Sequence, residues 1–186
     1  IFLFSVFLLR TLIVWKRTGI NAYTLLQKNG IQGIIGFYFK ILPFFSALAI
    51  VLFSFFPSGY DLIAPITWLE NPLIAMLGIA LLLLSLVWIW LSQAQMGKSW
   101  RIGIDNHHKT ELVTTGVFSI SRNPIFLGIK INSLGFFLAL PNAVTLVVLL
   151  LGVAVIDMQV ALEEEYLSKT HGSDYLHYYR LVRRWL

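Results

Sequence analysis

Long apolar runs, broken by short polar stretches, constrain this chain more than any other feature. Ile31–Phe56 and Pro72–Leu91 each reach the roughly 20 residues that an α-helix needs to cross ~30 Å of hydrocarbon. Asn142–Leu162 qualifies with one polar interruption, and Pro124–Leu140, at about 17 residues, is just long enough to span. Ile1–Val14 is also apolar and reads as the end of a longer first helix. The composition agrees: 58% of residues are hydrophobic and 12% charged, with a mean hydropathy of +0.78, outside the range of a water-facing domain. The expected fold class is therefore an all-α integral membrane protein with about five transmembrane helices.

Charge placement sets the orientation. Between Pro57 and Asn71 there is no Lys or Arg, only Asp61 and Glu70. Basic residues collect after the first helix (Lys16, Arg17, Lys28), in the 96–122 segment (Lys98, Arg101, Lys109, Arg122) and in the tail (Lys169, Arg180, Arg183, Arg184). Five crossings put all of these on one side, which the positive-inside rule makes the cytoplasm. Pro141-Asn142 then becomes a tight outside turn. The net charge of +5 is read as topology and contact with anionic headgroups, so nucleic acid is not an expected partner. The absence of cysteine excludes disulfides and thiolate catalysis. His107, His108, His171 and His177 lack convergent metal spacing, and no metal is expected.

The polar patterning concentrates on the inside. Gly97 is a natural helix stop, followed by a long segment that runs to Leu112-Val113-Thr114-Thr115-Gly116, with closely spaced backbone N–H groups. Arg122-Asn123-Pro124 opens a helix: Pro124 suits the first position, and the N-terminus above it suits a carboxylate, with Arg122 able to add a bidentate contact. In the fifth helix Asp157 and Glu164 share one face, while Gln159 and Glu163 share the adjacent one. An Asp at that depth marks a pathway, a partner or a site. Three consecutive acids, Glu163 to Glu165, sit poorly at a helix C-terminus unless a cation is near. After Gly172 a short aromatic and basic helix follows, suited either to the headgroup plane or to lining a substrate entrance.

LVTTGVFSISRNPIFLG resembles the L-V-x-x-G-x-Y-x-x-x-R-H-P-x-Y-x-G signature of isoprenylcysteine carboxyl methyltransferases and related phospholipid methyltransferases. EEEYLSKTHGSDYLHYYRLVRR is similar to the same family's C-terminal E-E motif, and with MGKSWR the resemblance covers about Met96 to Arg184. It implies two parts: 1–95 as three N-terminal spans, and 96–186 as a methyltransferase-like half with a cofactor loop, two spans and the C-terminal amphipathic helix. It further implies a cytoplasmic pocket for S-adenosyl-L-methionine, capped by the C-terminal segment, and a lipophilic or prenylated substrate entering from the bilayer.

Carried across, cofactor contacts fall on Gly103, Thr110, Glu111, Leu112, Val113, Gly116, Phe118, Asn123, Pro124, Ile125, Phe126 and Glu163. Arg122, Glu163 and Glu164 are the expected catalytic groups, and Asp157 and Gln159 the expected substrate contacts. The chain departs from the pattern at Asn123 for His, at Phe118 and Phe126 for Tyr, and at Gln159, where isoprenylcysteine methyltransferases carry Arg. The expected function is a membrane S-adenosylmethionine-dependent methyltransferase acting on a carboxylate, amine or thiol of a lipophilic acceptor. A sterol-reductase-like NADPH enzyme and a non-catalytic lipid-binding member of the family are the alternatives.

Overall fold

A computed structural model describes residues 30–97 and 111–186. Four long helices form the body: α1 (Ile31–Phe55), α3 (Pro72–Met96), α4 (Pro124–Ala139) and α5 (Ala143–His171). Two short ones complete it, α2 (Pro57–Asp61) and α6 (Ser173–Leu181). Single 3₁₀ turns lie at Thr67–Leu69 and Gly116–Ser119. The expected runs match the observed helices to within a few residues at their apolar ends. The exception is α5, which continues as helix to His171, well past the apolar run that ends at Leu162.

Among the described residues three helices (α1, α3 and α5) are long and apolar enough to cross a membrane, while α4, with 16 residues, is shorter. The fifth expected crossing, at Ile1–Val14, lies outside the described residues, as do the basic residues Lys16, Arg17, Lys28, Lys98, Arg101 and Lys109.

Local sequence fixes the helix ends. Asn71 caps α3 by accepting from Leu73 N at 2.8 Å, with Pro72 at the first position. Gly97 and Gly172, both at φ 54°, terminate α3 and α5 in a backbone region that side chains disfavour. At the α4–α5 turn Asn142 and Thr145 form a reciprocal capping box, with Thr145 N donating to Asn142 Oδ1 at 3.0 Å and Asn142 N to Thr145 Oγ1 at 3.2 Å. Thr145 Oγ1 also donates to Leu140 O at 2.7 Å. The stretch after α2 packs on this turn: Ile66 N donates to Pro141 O at 2.8 Å, and Ala143 N reaches Ile63 O at 3.1 Å. The 57–71 segment and Pro141-Asn142 therefore share one end of the bundle.

The helices pack in the order α3, α4, α5, α1. The α3–α4 contact is the most extensive, because glycines let the backbones touch. A Cβ on Gly78 would lie 2.5 Å from Ala139 N and 2.7 Å from Gly135 O, and one on Gly135 would lie 2.8 Å from Gly78 O. Farther along, Asn132 Nδ2 donates to Ser85 Oγ across the same interface at 3.0 Å. On the other side, Ile35 of α1 packs with Val155 of α5, flanked by Tyr38, Phe39 and Leu162. Large apolar side chains cover the outside of α1 and α3, among them Phe44, Phe53, Leu83 and Leu84. In water such a surface would be an aggregation hazard; hydrocarbon is its natural solvent.

Candidate functional site

The polar residues converge at the end of the bundle where α4 begins and α5 finishes. Pro124 is buried there, and its carbonyl accepts from Trp88 Nε1 of α3 at 2.8 Å. The preceding turn is pinned as well: Val117 N donates to Gln95 Oε1 at 2.8 Å. Gly116 suits this turn by its φ of 63°, and a Cβ there would lie 2.3 Å from Gln95 Oε1 and displace the amide that holds Val117. Phe118 is buried, and its carbonyl accepts from Tyr178 Oη of α6 at 2.6 Å.

Glu164 is the centre of this end. Its side chain is 8% exposed, and Oε1 accepts from Arg122 Nη2 at 3.1 Å, Arg122 Nε at 3.3 Å and Asn123 Nδ2 at 3.1 Å. The other oxygen accepts from Arg184 Nη2 at 2.6 Å. An ionised carboxyl so deeply placed needs this degree of pairing to offset its desolvation. The Arg122 and Asn123 side chains at the start of α4 thus hold a carboxylate of the chain itself.

Arg122 has further work on the tail. Its Nη1 donates to Tyr179 O at 3.1 Å and to Val182 O, its guanidinium lies 4.0 Å from the centre of the Tyr179 ring, and its backbone N–H donates to Arg183 O at 2.9 Å. Ser121 Oγ donates to Arg184 O at 3.2 Å.

A second ion pair lies one step deeper. Lys130 Nζ sits 2.5 Å from Asp157 Oδ1 and 3.8 Å from the centre of the Trp185 ring. Six residues separate Lys130 from the start of α4, roughly 9 Å of helix rise. Asp157 and Glu164 share the α4-facing side of α5, in agreement with their spacing. On the adjacent face Gln159 Nε2 donates to Glu163 Oε1 at 2.7 Å. Gln159 is buried, and its Oε1 has no hydrogen-bond partner among the described residues.

Beside the cluster opens a cavity of about 1110 Å³. One wall is Glu111, Leu112, Thr114 and Ser119; the other is His171 with Asp174, His177, Tyr178, Leu181 and Val182 of α6 and the tail. Burial pushes the Tyr178 hydroxyl well above its ordinary range. Tyr175 rises to about 12, chiefly through burial and then through the neighbouring Glu164 charge, with Arg122 offsetting part of the shift. Both tyrosines stay neutral at physiological pH. The amphipathic helix after Gly172 therefore turns Tyr175 and Tyr178 into the protein rather than toward headgroups.

The phospholipid methyltransferase family model matches residues 73–174, more than half of the chain. The chain belongs to this family. It is accordingly a membrane methyltransferase in its broad class. Neither a curated protein nor a solved structure matches the chain significantly. The family match starts in α3 and ends in α6, so it includes the Arg122–Glu164 and Lys130–Asp157 pairs but not Arg184.

Of the expected site residues, Glu111 and Leu112 line the cavity. Val113 lies between Leu112 and Thr114, and Gly116 and Phe118 sit in the pinned turn behind Ser119. Asn123 and Pro124 are buried at the head of α4, with half-buried Ile125 and Phe126 in its first turn. Arg122 and Glu164 are brought together, while Glu163 pairs with Gln159 on the neighbouring face. Gly103 and Thr110 lie outside the described residues. Sequence reading passed over Lys130, Ser121, Asp174 and the individual role of Arg184. For Lys130 a signal existed: it and Asp157 are the ionisable residues inside the apolar runs of α4 and α5.

Proposed function

We propose that this protein transfers a methyl group from S-adenosyl-L-methionine to a carboxylate, amine or thiol of a lipophilic acceptor. The observation that carries this reading is the cavity between the 111–119 segment and α6, in a chain of the phospholipid methyltransferase family. Its volume of about 1110 Å³ is slightly above the ~300–1,000 Å³ usual for small-molecule clefts, room enough for a nucleoside. Its lining fits a cationic nucleoside: the carboxylates of Glu111 and Asp174, the hydroxyls of Thr114 and Ser119, and apolar Leu112, Leu181 and Val182. Outside that lining, on α5, Gln159 holds a buried acceptor atom beside the Glu163 carboxylate, a pair that calls for a hydrogen-bond donor or a cation.

When bound, S-adenosylmethionine supplies an electrophilic methyl on a sulfonium, open to in-line displacement by the acceptor's lone pair. That chemistry asks the protein for alignment more than for proton transfer. Glu111, Asp174 and Glu163 would attract the cationic end, and the backbone of residues 112–116 would hold the polar rim. Leu112, Leu181 and Val182 would thin the water around the reacting groups, which strengthens every charge interaction within. The Lys- and Arg-rich segments at this end favour the cytoplasmic side for the cavity. Asp157, held by Lys130 within the hydrocarbon depth, is suited to meet the polar part of an acceptor arriving from the bilayer.

Calorimetric titration of the detergent-purified protein tests the reading. S-adenosylmethionine and S-adenosylhomocysteine should both bind, and NADPH should not. Binding of NADPH alone would replace this proposal with a reductase, and no binding at all with a non-catalytic lipid-binding protein. Glu163→Ala should weaken nucleotide affinity at least about tenfold, the scale of one lost charge interaction. Glu165→Ala, which loses only an exposed pair with Lys169, should leave it unchanged. Equal losses would remove Glu163 from the site.

A further inference from the structure

The tail is fastened to the start of α4 by contacts that no ligand is needed to explain. From Tyr179 to Arg184, four main-chain carbonyls are taken up by residues 121–123. Arg122 Nη1 serves Tyr179 and Val182, Arg122 N serves Arg183, and Ser121 Oγ serves Arg184, with Asn123 Nδ2 also 3.5 Å from the last. The final carbonyls of α6 lack partners within their own helix, and a guanidinium there satisfies them while meeting the negative end of the helix dipole. Arg184 then reaches back to Glu164, the carboxylate that holds Arg122. Lys130 over Trp185 adds a third fastening farther down α4. The segment so held carries Tyr178, Leu181 and Val182, one wall of the cavity.

We infer that Arg184, acting through Glu164 and Arg122, is a positioning residue: it latches the C-terminal segment to α4 and so sets the width of the nucleotide cavity. Most donors of the Arg122 guanidinium are spent on Glu164 and on carbonyls, so Arg122 and Glu164 serve the site through the wall they hold rather than by touching the ligand. This rests on the methyltransferase reading for the identity of the ligand, but not for the latch itself.

This sequence has no cysteine, so paired nitroxide labels at Ser119→Cys and Leu181→Cys, on opposite walls, report the cavity width. The electron–electron distance distribution should be narrow, should broaden and lengthen with Arg184→Ala, and should stay near native with Arg184→Lys, which keeps one charged contact to Glu164. The KM for S-adenosylmethionine should rise about tenfold in Arg184→Ala, the scale of one charge-assisted hydrogen bond, with kcat changed less than about twofold. Ser121→Ala, a milder change, should broaden the distribution less and keeps the test open if Arg184→Ala does not fold.

An unchanged distribution in Arg184→Ala overturns the latch, whatever happens to affinity. A broadened distribution with unaltered nucleotide binding overturns the role of the latch in setting the nucleotide site. Failure of the methyltransferase reading looks different: the unsubstituted protein binds no S-adenosylmethionine, yet the distance still broadens on removing Arg184.

Discussion

The two ends of α4 are joined to their neighbours by opposite means. Toward Ala139 the helix meets α3 through Gly78 and Gly135, backbone on backbone, with no charge involved. At Arg122 it meets α5 and the tail through a carboxylate, two guanidiniums and a row of carbonyls. Apolar side chains gain little from one another in lipid, since the tails are equally apolar, so shape and close approach decide that contact. At the other end the chain leaves helix geometry, main-chain groups lose their internal partners, and polar side chains must supply them. The first arrangement holds the bundle together, and the second fastens the tail to it.

The largest effect should come from filling the glycine contact. Gly78→Leu drives a side chain into the α4 backbone and should cost about 3 kcal/mol or more, seen as a lowered thermal midpoint in detergent micelles. A midpoint equal to the unsubstituted protein would mean that shape does not control this interface. At the polar end Glu164→Gln keeps the volume and removes the charge that Arg122 and Arg184 share. A loss of about 2 kcal/mol is expected by the same measurement, and a gain would show that the buried carboxylate is a net burden.

Smaller still is Tyr175→Phe, whose signature is confined to alkaline pH. Tyr175 keeps its proton up to about 12 when folded, against 10.0 for a free tyrosine. Its contribution is therefore complete below pH 10 and lost as the pH rises toward 12, because the unfolded chain ionises first. The variant should lose stability less steeply across that window, and tyrosinate absorbance should show one late-titrating group fewer.

The helices were legible because hydrophobic length and capping residues act locally. The apolar span at Ile31, the glycine stops at Gly97 and Gly172, and the Pro141-Asn142 turn all appear where their chemistry predicts. The pairing of Arg122 with Glu164 was not legible: the sequence suits the start of α4 to a carboxylate without pointing to one of the chain's own. Glu163, Glu164 and Glu165 point about 100° apart around a helix, and which of them faces α4 depends on how α5 is rotated against it. That rotation is set by contacts such as Ile35 with Val155, more than a hundred residues apart. Lys130 and Asp157 were open to pairing on depth alone, since two opposite charges inside neighbouring apolar helices have few other partners. The inward turn of Tyr175 and Tyr178 is of the other kind, for an aromatic and basic helix has the same pattern whether its rings meet lipid or protein.

The grip of residues 121–123 on the tail falls mainly on peptide oxygens. Such a clamp gauges spacing rather than spelling. Exchanging Arg180 or Leu181 for other residues leaves the oxygens where they are, whereas one residue inserted between Tyr179 and Val182 throws every subsequent oxygen out of step with its donor. In this stretch of the chain, evolution has more freedom to change letters than to change their number.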